Sequence, residues 1–155
     1  MRPHLLGVDL GDRRIGLAVA ELEIGYPRPL ATVRRARTPD ADAAVIGRAV
    51  AGLGVVEVVV GLPLEASGEE GPMAVAARAW AEAIGKRLEL PVTLRDERLT
   101  SHVAEQRLGP MPRGRSGGPP TKTQRDAYRA RVDREAAAII LQDELDARGA
   151  RATTP

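Results

Sequence analysis

Residues 7–19 read GVDLGDRRIGLAV. Two apolar runs are joined here by Gly11 and Asp12, which are common turn formers, so the stretch predicts a β-hairpin. Asp9 lies inside the first apolar run, where the neighbouring side chains belong in a core. Because burial of an unpaired carboxylate is costly, Asp9 must have a cation, a metal ion or dense hydrogen bonding beside it.

The composition narrows the class of protein. The chain has 155 residues, 43% of them hydrophobic, with a formal net charge of +2 and no cysteine. It is long enough for one domain with its own core, and it can form neither disulfides nor thiolate zinc sites. No apolar run reaches the roughly 20 residues of a membrane span. The N-terminal residues lack a signal-peptide pattern, so a cytoplasmic location is expected.

Periodicity and turn signals predict an α/β domain with a mixed five-stranded sheet and helices on both faces. The run VVEVVVGLP has the continuous apolar character of a central strand that helices cover on both sides. The predicted strands are 5–10, 14–20, 30–35, 55–63 and 91–97, and the predicted helices are 40–53, 72–88, 101–108 and 125–147.

One domain over residues 1–148 accounts for this order of elements. The segment GPMPRGRSGGPPTK, within 109–124, is rich in glycine and proline, so a mobile basic loop is expected there. Residues 149–155 are expected to form a disordered tail.

Three carboxylates occupy positions that should face the interior. Asp9 lies mid-strand, Glu97 ends a predicted strand, and Asp133 belongs to the apolar stripe of the last helix, before Ala136 and Ala137. Small residues allow that helix to approach the sheet closely and bring Asp133 towards Asp9. Clustered carboxylates without thiol or imidazole groups suit Mg²⁺ or Mn²⁺, and a pair of such ions can assist phosphodiester hydrolysis.

Each acid also has a simpler interpretation. Asp9 could accept backbone hydrogen bonds in the hairpin, and Glu97 could pair with Arg95 or Arg98. Asp133 would lie on the helix surface if the assumed register were wrong by one residue. Residue types and spacing alone leave these alternatives open.

Four segments, in this order, resemble the YqgF (RuvX) family of bacterial nucleases: GVDLGDRRIGLAV, VVGLPLEASGEEG, RDERLTS and VDREAAAIILQDEL. The resemblance extends over residues 5–146. It implies an RNase H-like fold and a nuclease that depends on Mg²⁺ or Mn²⁺, with two ions and with Asp9, Glu97 and Asp133 as catalytic residues and metal ligands. The sequence departs from the family pattern at Asp12, where Thr or Ser is common, and Asp12 is interpreted as a turn former.

The family is described both as processing the 5′ end of pre-16S rRNA and as resolving Holliday junctions, four-way DNA structures of recombination and repair. The first activity, part of ribosome biogenesis, is the favoured expectation and the second is the alternative. The expected partner is therefore structured nucleic acid, with no membrane, and the protein is expected to be a monomer or a homodimer.

Basic residues near the three acids are expected to bind the nucleic acid. Contacts with the phosphate backbone are expected from six of them: Arg13, Arg14, Arg98, Arg113, Arg115 and Lys122. Aromatic residues make up only 2% of the chain, so base stacking is an unfavoured source of affinity. His102 is a weak candidate for proton transfer.

Two rival functions have identifiable signatures. The segment DLGDRRIG also resembles the first phosphate loop of actin-like sugar kinases and chaperone ATPases, but 155 residues leave no room for their second domain. A non-catalytic nucleic-acid-binding protein is the other alternative, against which the three acids argue.

Overall fold

The computed structural model describes residues 2–65, 67–97 and 100–153. The strands are β1 (His4–Leu10), β2 (Arg14–Glu21), β3 (Arg28–Arg34), β4 (Val55–Pro63) and β5 (Val92–Glu97). The helices are α1 (Pro39–Ala49), α2 (Pro72–Leu88), α3 (Thr100–Leu108) and α4 (Lys122–Thr153), with one 3₁₀ turn at Arg115–Gly117.

The five strands form one mixed sheet in the order β3-β2-β1-β4-β5. β1 pairs antiparallel with β2, and β2 with β3, whereas β4 is parallel to both β1 and β5. The predicted hairpin is confirmed, and so is the mixed five-stranded sheet. β1 takes the middle position, and β4, which was expected to be central, is the interior strand beside it.

The larger core lies between the sheet and the helices α1 and α2. Side chains of β1, β2 and β4 meet Ile46 of α1 and Trp80 of α2 there. The Nε1 atom of Trp80 donates a hydrogen bond to Oδ2 of the fully buried Asp42 at 2.9 Å. The hydroxyl of Thr38 accepts a hydrogen bond from the amide of Ala41, which caps α1 as the sequence predicted.

The opposite face of the sheet is covered by α4, so helices lie on both faces as expected. α4 approaches the strands closely because glycines on the sheet lie against its backbone. A Cβ atom on Gly16 would overlap the carbonyl oxygen of Asp133, and one on Gly7 would overlap that of Ala137. The small residues of both elements therefore place Asp133 directly above β2, as the stripe predicted.

Two segments differ from the expected boundaries. α4 begins at Lys122 and continues to Thr153, through most of the segment for which a disordered tail was expected. The segment 109–121, expected to be a mobile loop, contains the 3₁₀ turn and makes defined contacts, since Gln124 Nε2 donates to the carbonyl of Arg113 at 2.9 Å. Tyr128 also donates its hydroxyl to the carbonyl of Gly109 at 2.7 Å. Within the described residues, no helix is both long and apolar enough to cross a membrane.

Candidate functional site

A small cleft of about 200 Å³ opens where the parallel strands β1, β4 and β5 end. Two carboxylates reach it, Asp9 from β1 and Glu97 from the last position of β5. The carboxyl ends of parallel strands are the usual location of sites in α/β proteins. The cleft is lined by Asp9, Leu10, Gly61, Pro63, Met73, Glu97, Thr100, Ser101 and Ile140.

Asp9 is held in an environment that disfavours its charge. Burial, and to a smaller extent the negative charge of Asp133, together raise the pKa of Asp9 from 3.8 to about 7. Asp9 and Asp133 are therefore electrostatic neighbours, as the sequence predicted. A carboxyl group in this state gains most from a nearby cation.

Glu97 lies in a similar environment with more neighbours. Burial is the main cause that raises the pKa of Glu97 from 4.5 to about 7. The hydroxyl of Thr100, which donates to Oε2 of Glu97 at 2.5 Å, and the charge of Arg95 oppose this rise. Among the described residues, the buried Oε1 atom of Glu97 has no hydrogen-bond donor. Glu97 thus presents an unsatisfied carboxylate oxygen.

Asp133 lies beside the cleft rather than in its lining. Its Oδ2 atom accepts a hydrogen bond from Nε of Arg14 at 2.6 Å, in an ion pair that is only partly exposed to solvent. Its backbone packs on Gly16, which pairs with Asp9 across the hairpin. The third acid is therefore close enough to affect the charge of Asp9, but its carboxylate is neutralised by an arginine.

The donor set of the cleft suits a hard divalent cation. Asp9 and Glu97 supply carboxylate oxygens, which Mg²⁺ and Mn²⁺ prefer, and Glu97 Oε1 lacks a partner in the described structure. Within residues 2–65, 67–97 and 100–153, no three acidic or histidine side chains converge tightly enough to hold an ion as they stand. Asp133 would complete the set once Arg14 released it.

Asp143 is a neighbour of the site that sequence reasoning missed. The nearby carboxyl group of Asp143 raises the pKa of Glu97. The available signal was its position three residues after Ile140, which lines the cleft on the same helix.

The predicted basic residues fall into three groups. Arg13, Arg14 and Lys122 line one groove beside the hairpin turn. Arg113 and Arg115 are exposed and lie outside the lining of that groove. Arg98 lies outside the described residues.

The groove also contains arginines other than the six basic residues that were named as phosphate contacts. β3 contributes Arg34, the following residue is Arg35, and the first turns of α4 contribute Arg125 and Arg129. Sequence patterns gave no reason to connect β3 with the start of α4, because their contact depends on how the long helix crosses the sheet.

Asp12 and His102 lie outside the cleft lining. Asp12 is exposed in the hairpin turn, where it lines the groove. His102 is exposed on α3, and its Nε2 atom lies 3.3 Å from the side-chain nitrogen of Gln106.

Comparison with solved structures finds RuvC of T. thermophilus in complex with a Holliday junction substrate. That chain is 18% identical, the match covers 94% of this protein and 96% of RuvC, and the TM-score is 0.49. A ROK hexokinase from Thermus thermophilus matches 69% of this protein and 38% of the kinase chain, at 21% identity and a TM-score of 0.41.

Comparison with curated sequences finds closer relatives. A protein of Chloroflexus aggregans, named "Putative pre-16S rRNA nuclease", is 44% identical over 144 residues, which are 93% of this chain and 94% of the relative. A protein of Anaeromyxobacter sp. (strain Fw109-5) with the same name is 46% identical over 145 residues, which are 94% and 98% of the two chains. The family model RuvX, described as "Holliday junction resolvase", matches residues 3–147. This chain therefore belongs to the RuvX (YqgF) family of nucleases, which are hydrolases that act on phosphodiester bonds.

Proposed function

We propose that this protein is a cytoplasmic endonuclease that depends on a divalent metal and processes the 5′ end of pre-16S rRNA. The observation that carries the proposal is the pair Asp9 and Glu97, two carboxyl groups with raised pKa values in one cleft of a chain that belongs to a nuclease family. The relatives named pre-16S rRNA nuclease are 44% and 46% identical over nearly their whole length, which favours RNA as the substrate.

Asp9, Glu97 and Asp133 would hold the metal, either Mg²⁺ or Mn²⁺, as two ions. The bound ions would stabilise the negative charge that develops on the attacking and leaving oxygens of the phosphodiester. Thr100 orients Glu97 through its hydrogen bond to Oε2, and Oε1, which has no donor among the described residues, is the oxygen available to a metal ion. Arg14 neutralises Asp133 before the metal binds, and afterwards its guanidinium can turn to a substrate phosphate.

Resolution of four-way DNA junctions is the second candidate. It is favoured by the family model, whose description is "Holliday junction resolvase". Both substrates present a phosphate backbone and a distinctive shape, so the same cleft could serve either. The two candidates differ in the substrate that is cut, not in the proposed chemistry.

Cleavage of both substrates, side by side, tests the proposal. A transcript that contains the 5′ precursor segment of 16S rRNA and a four-way DNA junction are incubated with the full-length protein in Mg²⁺, in Mn²⁺ or in EDTA. We expect cuts in the transcript that require metal and much slower cleavage of the junction. Preferential cleavage of the junction would support the second candidate, and no cleavage of either substrate in any metal would support a binding protein without activity.

A further inference from the structure

The largest charged concavity among those described lies outside the cleft. It is a groove of about 850 Å³ between the hairpin turn, the end of β3 and the first turns of α4. We call it the arginine groove. It is lined by Asp12, Arg13, Arg14, Thr32, Val33, Arg34, Arg35, Ala36, Lys122, Arg125, Asp126, Arg129 and Ala130.

The charge of the arginine groove is strongly positive. Its lining contains seven basic side chains, six of them arginines, and the two acids Asp12 and Asp126. Lys122 is exposed and paired with Asp126 at 2.9 Å, and Arg34 and Arg129 are exposed as well. The lining contains no aromatic side chain, so a ligand would be recognised by its anionic groups and not by base stacking.

The walls of the groove are fixed by internal contacts. The hydroxyl of Thr32 on β3 donates to the carbonyl of Ala130 on α4 at 2.5 Å, which joins the two walls. Arg35 lies 3.7 Å from the buried Asp42 and donates to the carbonyl of Gly11 at 3.3 Å. The groove therefore exists before any ligand binds, and little ordering cost is expected on binding.

The arginine groove is connected to the acids of the cleft. A second hollow of about 390 Å³ shares Arg14 and Arg129 with the groove and is also lined by Asp133. Asp133 in turn lies next to Asp9. A chain of phosphates that occupies the groove would therefore pass Arg14 and lead towards the carboxylates.

We propose that the arginine groove is a second binding site for the nucleic-acid backbone, which holds a segment of the substrate away from the bond that is cut. This proposal rests on the proposed function in one respect only, which is that the bound segment belongs to a nuclease substrate. The ligand is an extended run of phosphodiesters, bound without regard to base sequence. Arg34 and Arg129 are its exposed phosphate contacts.

The test measures binding in EDTA, where cleavage does not contribute. The double variant Arg34→Gln/Arg129→Gln is compared with Arg48→Gln/Arg87→Gln, which removes the same charge from exposed positions on α1 and α2, across the sheet from α4. The probes are a labelled single-stranded RNA, an RNA duplex and a four-way DNA junction, each titrated at several salt concentrations.

We expect the groove variant to bind roughly tenfold or more weakly at about 0.1 M salt, with a salt slope lower by about 1.4 for single-stranded RNA. The control variant should have the same salt slope as the unmodified protein. The variant Arg34→Lys/Arg129→Lys should keep most of that salt slope. Unchanged binding by the groove variant, or equal losses in both Gln variants, would overturn the proposal. The probe with the greatest loss identifies the backbone form that occupies the groove.

The cleavage assay separates this proposal from the proposed function. If the unmodified protein cuts no substrate while the groove variant loses binding, the groove is a binding site in a protein without nuclease activity. If the protein cuts its substrate and the groove variant binds normally, the nuclease assignment stands and the groove assignment fails.

Discussion

The guanidinium of Arg14 holds the carboxylate of Asp133, with 2.6 Å between Nε and Oδ2. Arg14 begins β2 and Asp133 lies on α4, so the ion pair joins the hairpin to the helix that crosses it. The same contact places a positive charge where the proposed metal site needs a free carboxylate. The pair therefore couples the packing of α4 to the chemistry of the site.

Arg14→Gln should lower the stability of the metal-free protein and increase its response to metal. Loss of a partly exposed ion pair costs about 1 kcal/mol, and the unpaired Asp133 then repels Asp9 more strongly. Thermal unfolding in EDTA and in Mn²⁺ measures both effects. Arg78→Gln, which breaks an exposed ion pair between Arg78 of α2 and Glu70 in the preceding loop, is the control. An identical rise in Tm with Mn²⁺ in all three proteins would show that Arg14 does not compete with metal.

Gly16→Ala should displace α4 from the sheet. The added Cβ would overlap the backbone of Asp133, and overpacking of this kind costs roughly 1 to 3 kcal/mol or more. Because Asp133 moves with the helix, the Mn²⁺-dependent rise in Tm should also shrink.

Gly47→Ala is the matched control for Gly16→Ala. Gly47 lies within α1, and its added Cβ would meet only the side chain of Leu88, at 3.5 Å. This change should stabilise the protein by about 0.5 to 1 kcal/mol, since alanine favours a helix over glycine. Chemical denaturation of both variants provides the comparison, and a neutral Gly16→Ala would refute the close approach of α4.

The metal-free protein should lose stability as the pH rises from about 4 to about 7. The pKa values of Asp9 and Glu97 increase from 3.8 and 4.5 to about 7 on folding, so the folded state keeps protons that the unfolded state releases. The loss should end above pH 7, once the folded state has released them too.

Asp9→Asn isolates the contribution of Asp9 to this pH dependence. The substitution should flatten the dependence of stability on pH. At pH 8 it should raise the free energy of unfolding by roughly 1 to 3 kcal/mol, because a neutral side chain has no cost of charge burial. Urea denaturation across the pH range in EDTA measures this. The same pH dependence in both proteins would contradict the raised pKa of Asp9.

Replacement of Arg113, Arg115 and Lys122 by Ala should weaken nucleic-acid binding. Each lost phosphate contact should lower the salt slope by somewhat less than one unit, and the cleavage rate at saturating substrate should change much less than affinity. Lys122 lines the arginine groove, so most of the effect should come from this residue. Titration of the triple variant and of Lys122→Ala alone separates the contributions, and unchanged binding by the triple variant would exclude the loop from the interface.

The fold was predictable because its main signals are local. Alternation around Gly11 indicates the hairpin, and the small residues after Asp133 indicate which side of α4 meets the sheet. The position of Asp9 within an apolar run indicates an ionisable group that needs compensation, and the structure places it beside Asp133.

The features of the site that the sequence did not predict depend on contacts between elements that are distant in sequence. Sequence does not specify that Asp133 takes Arg14 as its partner, 119 positions away. It also does not reveal that the crossing of α4 places Arg129 in the same groove as Arg34 of β3, or that Asp143 lies near Glu97. These features follow from the angle at which the helix crosses the sheet.

Cleavage by Asp9→Asn tests the central claim most directly, since this variant keeps the shape of the side chain and removes one proposed metal ligand. The rate at which Asp9→Asn cleaves the 5′ precursor of 16S rRNA is measured in Mg²⁺ and in Mn²⁺. It is compared with the rates of the unmodified protein and of Asp40→Asn, a control at an exposed position of α1. We predict metal-dependent cleavage by the unmodified protein and the control, and none above background by Asp9→Asn. Full activity of Asp9→Asn would contradict the assignment of the cleft as the metal-binding active site.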